Sequence, residues 1–159
     1  MIQENVPALT NKRMICVLND TPRKLKKKYI VMEWIEGEVL TKLKEKIFHK
    51  ESDFLRMCLI LFHQLSLLHE KGIIHRDIKT ENVMFFKDPF DKDNNEFYFG
   101  FIDFGCSFMF SSNELKVHNV SPPFSPPEQN SDLESYRTDI YSLGVTLNDV
   151  IQITKIKVK

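Results

Sequence analysis

Wound as a helix, residues Phe54 to Leu68 are apolar on nearly every face, and a helix of that kind has to be buried in a core. Any fold this chain adopts must therefore wrap other elements around it. Ser52 is placed to act as the N-cap, with Asp53 in the first turn, and Lys71-Gly72 supplies a C-terminal stop. His63 and His69 fall on different faces, which fits core or hydrogen-bonded histidines better than a pair of metal ligands. The chain then passes through Ile73-Ile74 into a polar stretch, His75-Arg76-Asp77-Ile78-Lys79-Thr80-Glu81-Asn82. Two apolar runs follow, Val83 to Phe86 and Tyr98 to Ile102, which read as strands joined by a charged turn, and after them comes Asp103-Phe104-Gly105.

Taken in this order, the polar stretch and Asp103-Phe104-Gly105 resemble the catalytic loop and the metal-binding motif of eukaryotic protein kinases of the serine/threonine type. The residue types suit that chemistry. Moving a γ-phosphoryl group asks little covalent work of a protein; it needs a carboxylate to orient the hydroxyl, cations against phosphate charge, and oxygen ligands for a metal. The resemblance implies Asp77 as the base, Lys79 near the γ-phosphate, and Asn82 and Asp103 as magnesium ligands. The implied cofactors are ATP and Mg²⁺, and the implied partner is a protein substrate.

Further stretches extend the resemblance. Met32-Glu33-Trp34-Ile35-Glu36-Gly37 is similar to the kinase hinge, which implies that the Glu33 carbonyl and the Ile35 amide face adenine, that Glu38 reaches a ribose hydroxyl and that Met84 packs under the ring. Ser121 to Glu128 is similar to the end of an activation segment, with Pro126 in place of the usual Ala and Ser121 where a hydroxyl commonly bonds the base and its lysine. In such families an Arg before the base, here Arg76, often pairs with a phosphorylated residue of that segment, for which Ser111 and Ser112 are candidates. Thr138 to Val145 is similar to the motif that opens the long C-lobe helix, with Tyr141 for Trp, which implies that Asp139 accepts backbone N–H groups of the catalytic loop.

The remaining stretches read more plainly. Met14 to Leu18 and Tyr29 to Met32 are strands, and the basic cluster Arg23 to Lys28 is a solvated hairpin loop. Val39 to His49 carries Leu40, Leu43 and Ile47 at helical spacing and predicts an amphipathic helix. Asp91 to Glu96 resembles the start of a calcium loop but has Glu96 where a Gly is required, so a hairpin tip is expected instead. Charge is balanced, with 22 basic and 22 acidic side chains, so nothing in it points to nucleic acid or a membrane. Cys16, Cys58 and Cys106 form no closely spaced pair, which fits a reduced compartment. With no signal peptide or membrane-spanning run, a soluble, cytoplasmic protein is expected.

The fold class expected is α+β and protein-kinase-like, but partial: a remnant of N-lobe strands with the hinge over residues 1–36, and a mainly helical, incomplete C-lobe over 37–159. The resemblance runs from about Met14 to about Ile153 and includes neither a Gly-rich loop nor the N-lobe lysine. Two readings follow. One is a truncated serine/threonine kinase, active weakly, not at all, or only when another chain completes the upper lobe. The alternative is a non-catalytic kinase-like module that binds and regulates a kinase or its substrate.

Overall fold

The computed structural model describes residues 16–18, 29–31, 35–42, 48, 50–87, 97–109, 120–131 and 134–155. The chain divides into two compact units, Met1–Glu36 and Gly37–Lys159. In the first, β1 (Cys16–Leu18) pairs antiparallel with β2 (Tyr29–Val31), Cys16 opposite Val31. Both lie inside the apolar runs that predicted them.

The second unit holds the long helix. Helix α1 (Glu51–Glu70) begins two residues earlier than an N-cap at Ser52 would place it, with Lys50 as the N-cap. Its start is closed by Asp53, whose Oδ2 accepts the Lys50 N–H at 3.1 Å, the reciprocal half of a capping box. At the other end Gly72 adopts φ +74° and its N–H bonds the His69 carbonyl at 2.9 Å. That left-handed conformation is the one glycine supplies cheaply, so the predicted stop is where the sequence put it.

Burial along α1 is one-sided. Phe54, Met57, Leu61 and Leu65 are buried, a stripe at helical spacing, whereas Leu55, Leu59 and Phe62 are exposed. The expectation of a helix buried on nearly every face is corrected accordingly: among the described residues, the sheet and the second helix cover one face only. The buried stripe meets Leu40, Phe48, Ile78, Val83, Phe99, Leu143 and Val150 in one core.

A three-stranded antiparallel sheet lies against α1, in the order β3 (Gly37–Val39), β5 (Val83–Lys87), β6 (Phe97–Phe101). Between β3 and β5 in sequence, β4 (Ile73–Ile74) pairs with β7 (Phe108–Met109). Helix α2 (Tyr136–Thr154) starts at Ser135, whose Oγ accepts the Arg137 N–H at 3.3 Å. The helix predicted over Val39 to His49 does not form as one element. Val39 pairs with Met84 in the sheet and Leu40–Lys42 is a single 3₁₀ turn; the β-branched residue gains more from the ladder than from helical periodicity. Residues 43–47 and 49 of that stretch lie outside the described residues, as do 32–34 of the hinge-like stretch and the turn from Asp91 to Glu96.

Gly37 is fixed by close approach. A Cβ there would collide with the Phe85 carbonyl oxygen and come within 2.9 Å of the Phe86 Cβ. Because the obstacle is the backbone of the paired strand, Gly37→Ala is expected to lower stability by about 1–3 kcal/mol, measured by urea unfolding. No helix among the described residues is long and apolar enough to cross a membrane.

Candidate active site

The stretch from His75 to Asn82 links β4 to β5, and its shape is imposed from below by α2. Asp139 is fully buried at the start of that helix. Its Oδ2 accepts the His75 N–H and its Oδ1 the Arg76 N–H, each at 2.9 Å. Oδ2 also lies 2.9 Å from His69 Nε2, and the His69 ring packs on Tyr136 at 4.8 Å. The role expected of Asp139 and the expectation that His69 is satisfied by hydrogen bonds both hold; His63 is exposed.

Arg76 adopts φ +69°, a left-handed conformation that costs a residue with a long side chain on the order of 1–3 kcal/mol. Bonds to its peptide groups hold it there. Besides the N–H on Asp139, its carbonyl accepts from Gln129 Nε2 at 2.9 Å. The sharp turn points the next side chain, Asp77, toward Lys79, Asn82 and Ser121.

Asp77 is buried, and four donor contacts converge on its carboxylate. Lys79 Nζ reaches Oδ1 at 3.0 Å and Oδ2 at 2.9 Å. Asn82 Nδ2 donates to Oδ2 at 2.8 Å, and the Ser121 hydroxyl donates to Oδ1 at 2.8 Å. Lys79 Nζ in turn donates to Ser121 Oγ at 3.2 Å. The carboxylate is thus held in one orientation by groups from three places in the sequence, including the Ser121 that the resemblance singled out. Asn82 Nδ2 also donates to the Asp77 carbonyl at 2.9 Å. With its N–H groups aimed at Asp77, the amide turns its oxygen, the atom a hard cation would use, to the other side.

Asp103 follows β6. The Ile102 N–H donates to the Asn82 carbonyl at 2.9 Å, which brings the end of that strand beside Asn82. The residue takes φ +60°, a conformation Asp tolerates, and its exposed carboxylate accepts the Gly105 N–H at 3.1 Å. Among the described residues no group of three or more His, Cys, Asp or Glu could hold a metal ion. Two oxygen donors from Asn82 and Asp103 instead fit a cation that takes few protein ligands and completes its shell with phosphate oxygens and water.

The His75 ring lies between Phe101, at 5.7 Å, and Phe104, at 4.7 Å. Burial pushes its pKa below the ordinary value, against the opposing pull of Asp139 and Asp77. Met84 is half-buried in β5, opposite Val39 on one side and Gly100 on the other. Glu38 is exposed in β3, opposite Phe85. In the first unit Ile35 is half-buried outside any helix or strand, and Glu33 lies outside the described residues, as do Ser111 and Ser112.

Sequence reasoning missed Gln129, Asn130 and Glu134. Glu134 Oε1 accepts from Arg76 Nε at 2.6 Å, with both side chains fully buried. Asn130 Oδ1 accepts from Arg76 Nη2 at 2.7 Å. A lone acid just ahead of a helix reads as an ordinary helix-start residue, so neither spacing nor composition marked Glu134.

A model of the protein kinase domain family matches residues 5–156. Among curated proteins the chain is similar to the serine/threonine-protein kinase PknA of Nostoc sp., with 33% identity over 127 residues, covering 74% of this chain and 21% of that protein. It is 30% identical over 127 residues to the serine/threonine-protein kinase shk2 of Schizosaccharomyces pombe, covering 78% of this chain and 20% of that one. It is also 30% identical over 125 residues to the serine/threonine-protein kinase PAK 4 of Homo sapiens, covering 77% and 20%. The chain spans about a fifth of the length of these relatives.

Proposed function

This chain belongs to the protein kinase domain family, as the match over residues 5–156 shows, and from that premise we propose that it transfers phosphate from MgATP to serine or threonine hydroxyls of a protein substrate. The observation that carries the reading is the Asp77 carboxylate, buried and oriented by Lys79, Asn82 and Ser121. A structural turn has no need of a carboxylate fixed by a lysine and an amide at the mouth of a loop whose neighbour, Asp103, is exposed.

In this reading Asp77 orients the substrate hydroxyl and accepts its proton. Lys79, already on Asp77 and Ser121, places a positive charge where the transferred group carries negative charge. The Asn82 amide oxygen and the Asp103 carboxylate would hold the magnesium ion. Bound MgATP supplies the phosphoryl group. The first unit would act as the remnant of the upper lobe, and the family resemblance assigns Glu33 and Ile35 in that unit, and Met84 in the second, to nucleotide binding. A further chain that completes the upper lobe, or the rest of a longer protein, would supply the phosphate-covering parts. The kinase names of the relatives favour serine or threonine as acceptor.

Calorimetric titration of the purified chain with ATP and Mg²⁺ tests this. Saturable, magnesium-dependent binding is expected, weakened at least about tenfold by Asp103→Ala, which removes one of two protein ligands of the cation. Folded chain that binds no nucleotide would overturn the enzymatic reading in favour of a non-catalytic module that docks on a kinase or its substrate.

A further inference from the structure

We propose that Glu134 is a positioning residue whose carboxylate, through Arg76, fixes the working shape of the loop that carries Asp77, so that this shape needs no phosphate group added to the chain. The inference rests on the phosphotransfer reading given above, and it starts from a charge that has been placed where water does not reach. The Arg76 guanidinium is fully buried, and a buried cation requires an anion close by. Glu134 provides that anion from within the fold, on Nε at 2.6 Å.

The guanidinium also binds groups from two other segments. Nη1 donates to the Cys106 carbonyl at 3.2 Å and Nη2 to Asn130 Oδ1 at 2.7 Å, while the Phe108 ring lies 5.5 Å from the guanidinium carbon. Cys106 follows directly on the turn that carries Asp103. One buried ion pair therefore joins the Asp77 loop, the segment after Asp103 and the stretch before α2. An anion arriving from solvent, such as a phosphorylated side chain, would have to open a fully buried guanidinium and displace the Cys106 carbonyl or Asn130 Oδ1, and it would find the charge already neutralised by the Glu134 carboxylate on Nε. The pairing that the sequence resemblance suggests for Arg76 is already made by Glu134.

The strained backbone of Arg76 gives the pair its leverage. Both peptide groups are held, the N–H by Asp139 and the carbonyl by Gln129, whose neighbour Asn130 is itself on the guanidinium. Loss of the negative charge at position 134 should let this segment, and with it the orientation of Asp77, relax.

Amide hydrogen exchange on the full chain, treated with a protein phosphatase and shown by mass to carry no phosphate, tests the proposal. Amides of residues 75–79 and 105–109 should exchange slowly in that material. In Glu134→Gln, which keeps an oxygen for Arg76 Nε but loses the charge, the same amides should exchange about tenfold faster or more, with those of residues 57–65 in α1 unchanged. The turnover number for peptide phosphorylation should fall about tenfold with the KM for MgATP unaltered, as expected of a group that acts only through the orientation of Asp77. Fast exchange of the phosphate-free parent would overturn the proposal, as would a Glu134→Gln chain as protected and as active as its parent. If the variant does not fold, the phosphate-free parent decides the matter alone. A parent that shows protection but neither binds MgATP nor transfers phosphate would count against the enzymatic reading and leave the exchange result standing.

Discussion

Asp77→Asn is expected to lower the rate of phosphate transfer by about 10²- to 10⁴-fold, the usual worth of a positioned general base, while costing only about 1 kcal/mol of stability. The two effects separate because of the way the carboxylate is held. Its Oδ2 faces the Asn82 amide, a fixed donor, whereas Oδ1 faces the Ser121 hydroxyl, which can rotate and accept instead. An asparagine therefore settles with its oxygen toward Asn82 and its NH₂ toward Ser121, while the flexible, partly exposed Lys79 gives up its contact at the Oδ1 position, where it would meet the NH₂, and keeps the one to the remaining oxygen. Shape survives; basicity does not. Transfer from radiolabelled ATP to a mixture of Ser- and Thr-containing peptides, read beside the thermal midpoint, checks both halves. A variant that transfers phosphate at the parent rate would remove Asp77 from the chemistry.

The groups that crowd Asp77 were legible in the sequence to different degrees, and the differences have physical causes. Asp77, Lys79, Asn82 and Asp103 stand in short local motifs, and Ile102 on Asn82 brings their ends together through one strand pair. Ser121 and Asp139 were legible because each lies in a recognisable stretch of its own, although each acts far from it in sequence. Glu134, Asn130 and Gln129 were not, because their role exists only once the chain has folded: a buried guanidinium needs partners, and nothing local to residues 129–134 says that Arg76 will be delivered there. The sheet misled in the same way. Val39 to His49 has helical spacing, but Val39 is captured by the Met84 pairing, and tertiary contact outweighs weak local preference. On α1 the apolar residues announced burial all round, yet Leu59 is 72% exposed; composition states what a surface would prefer to meet, not what is there to meet it.

Asp139 offers the contrasting case, in which the conservative amide gives no relief. Asp139→Ala and Asp139→Asn should each destabilise the chain by about 3–5 kcal/mol, the cost of breaking a buried, hydrogen-bonded charge by removing one partner. The alanine variant leaves the His75 and Arg76 N–H groups without their acceptor in a site where both residues are almost wholly buried. The asparagine variant fares little better. Whichever way its amide turns, the NH₂ meets a backbone N–H, His75 at the Oδ2 position or Arg76 at the Oδ1 position, and neither donor can rotate as the Ser121 hydroxyl can. The left-handed conformation of Arg76 then loses the contact that offsets its cost, so the loop should open before the helices do. Urea unfolding of the parent and both variants gives the magnitudes. Hydrogen exchange gives the order, with residues 75–79 expected to lose protection while residues 57–65 of α1 retain theirs. An Asp139→Asn chain within about 1 kcal/mol of its parent would mean that the loop holds its own shape and that α2 supplies packing rather than the hydrogen bonds that set Asp77 in place.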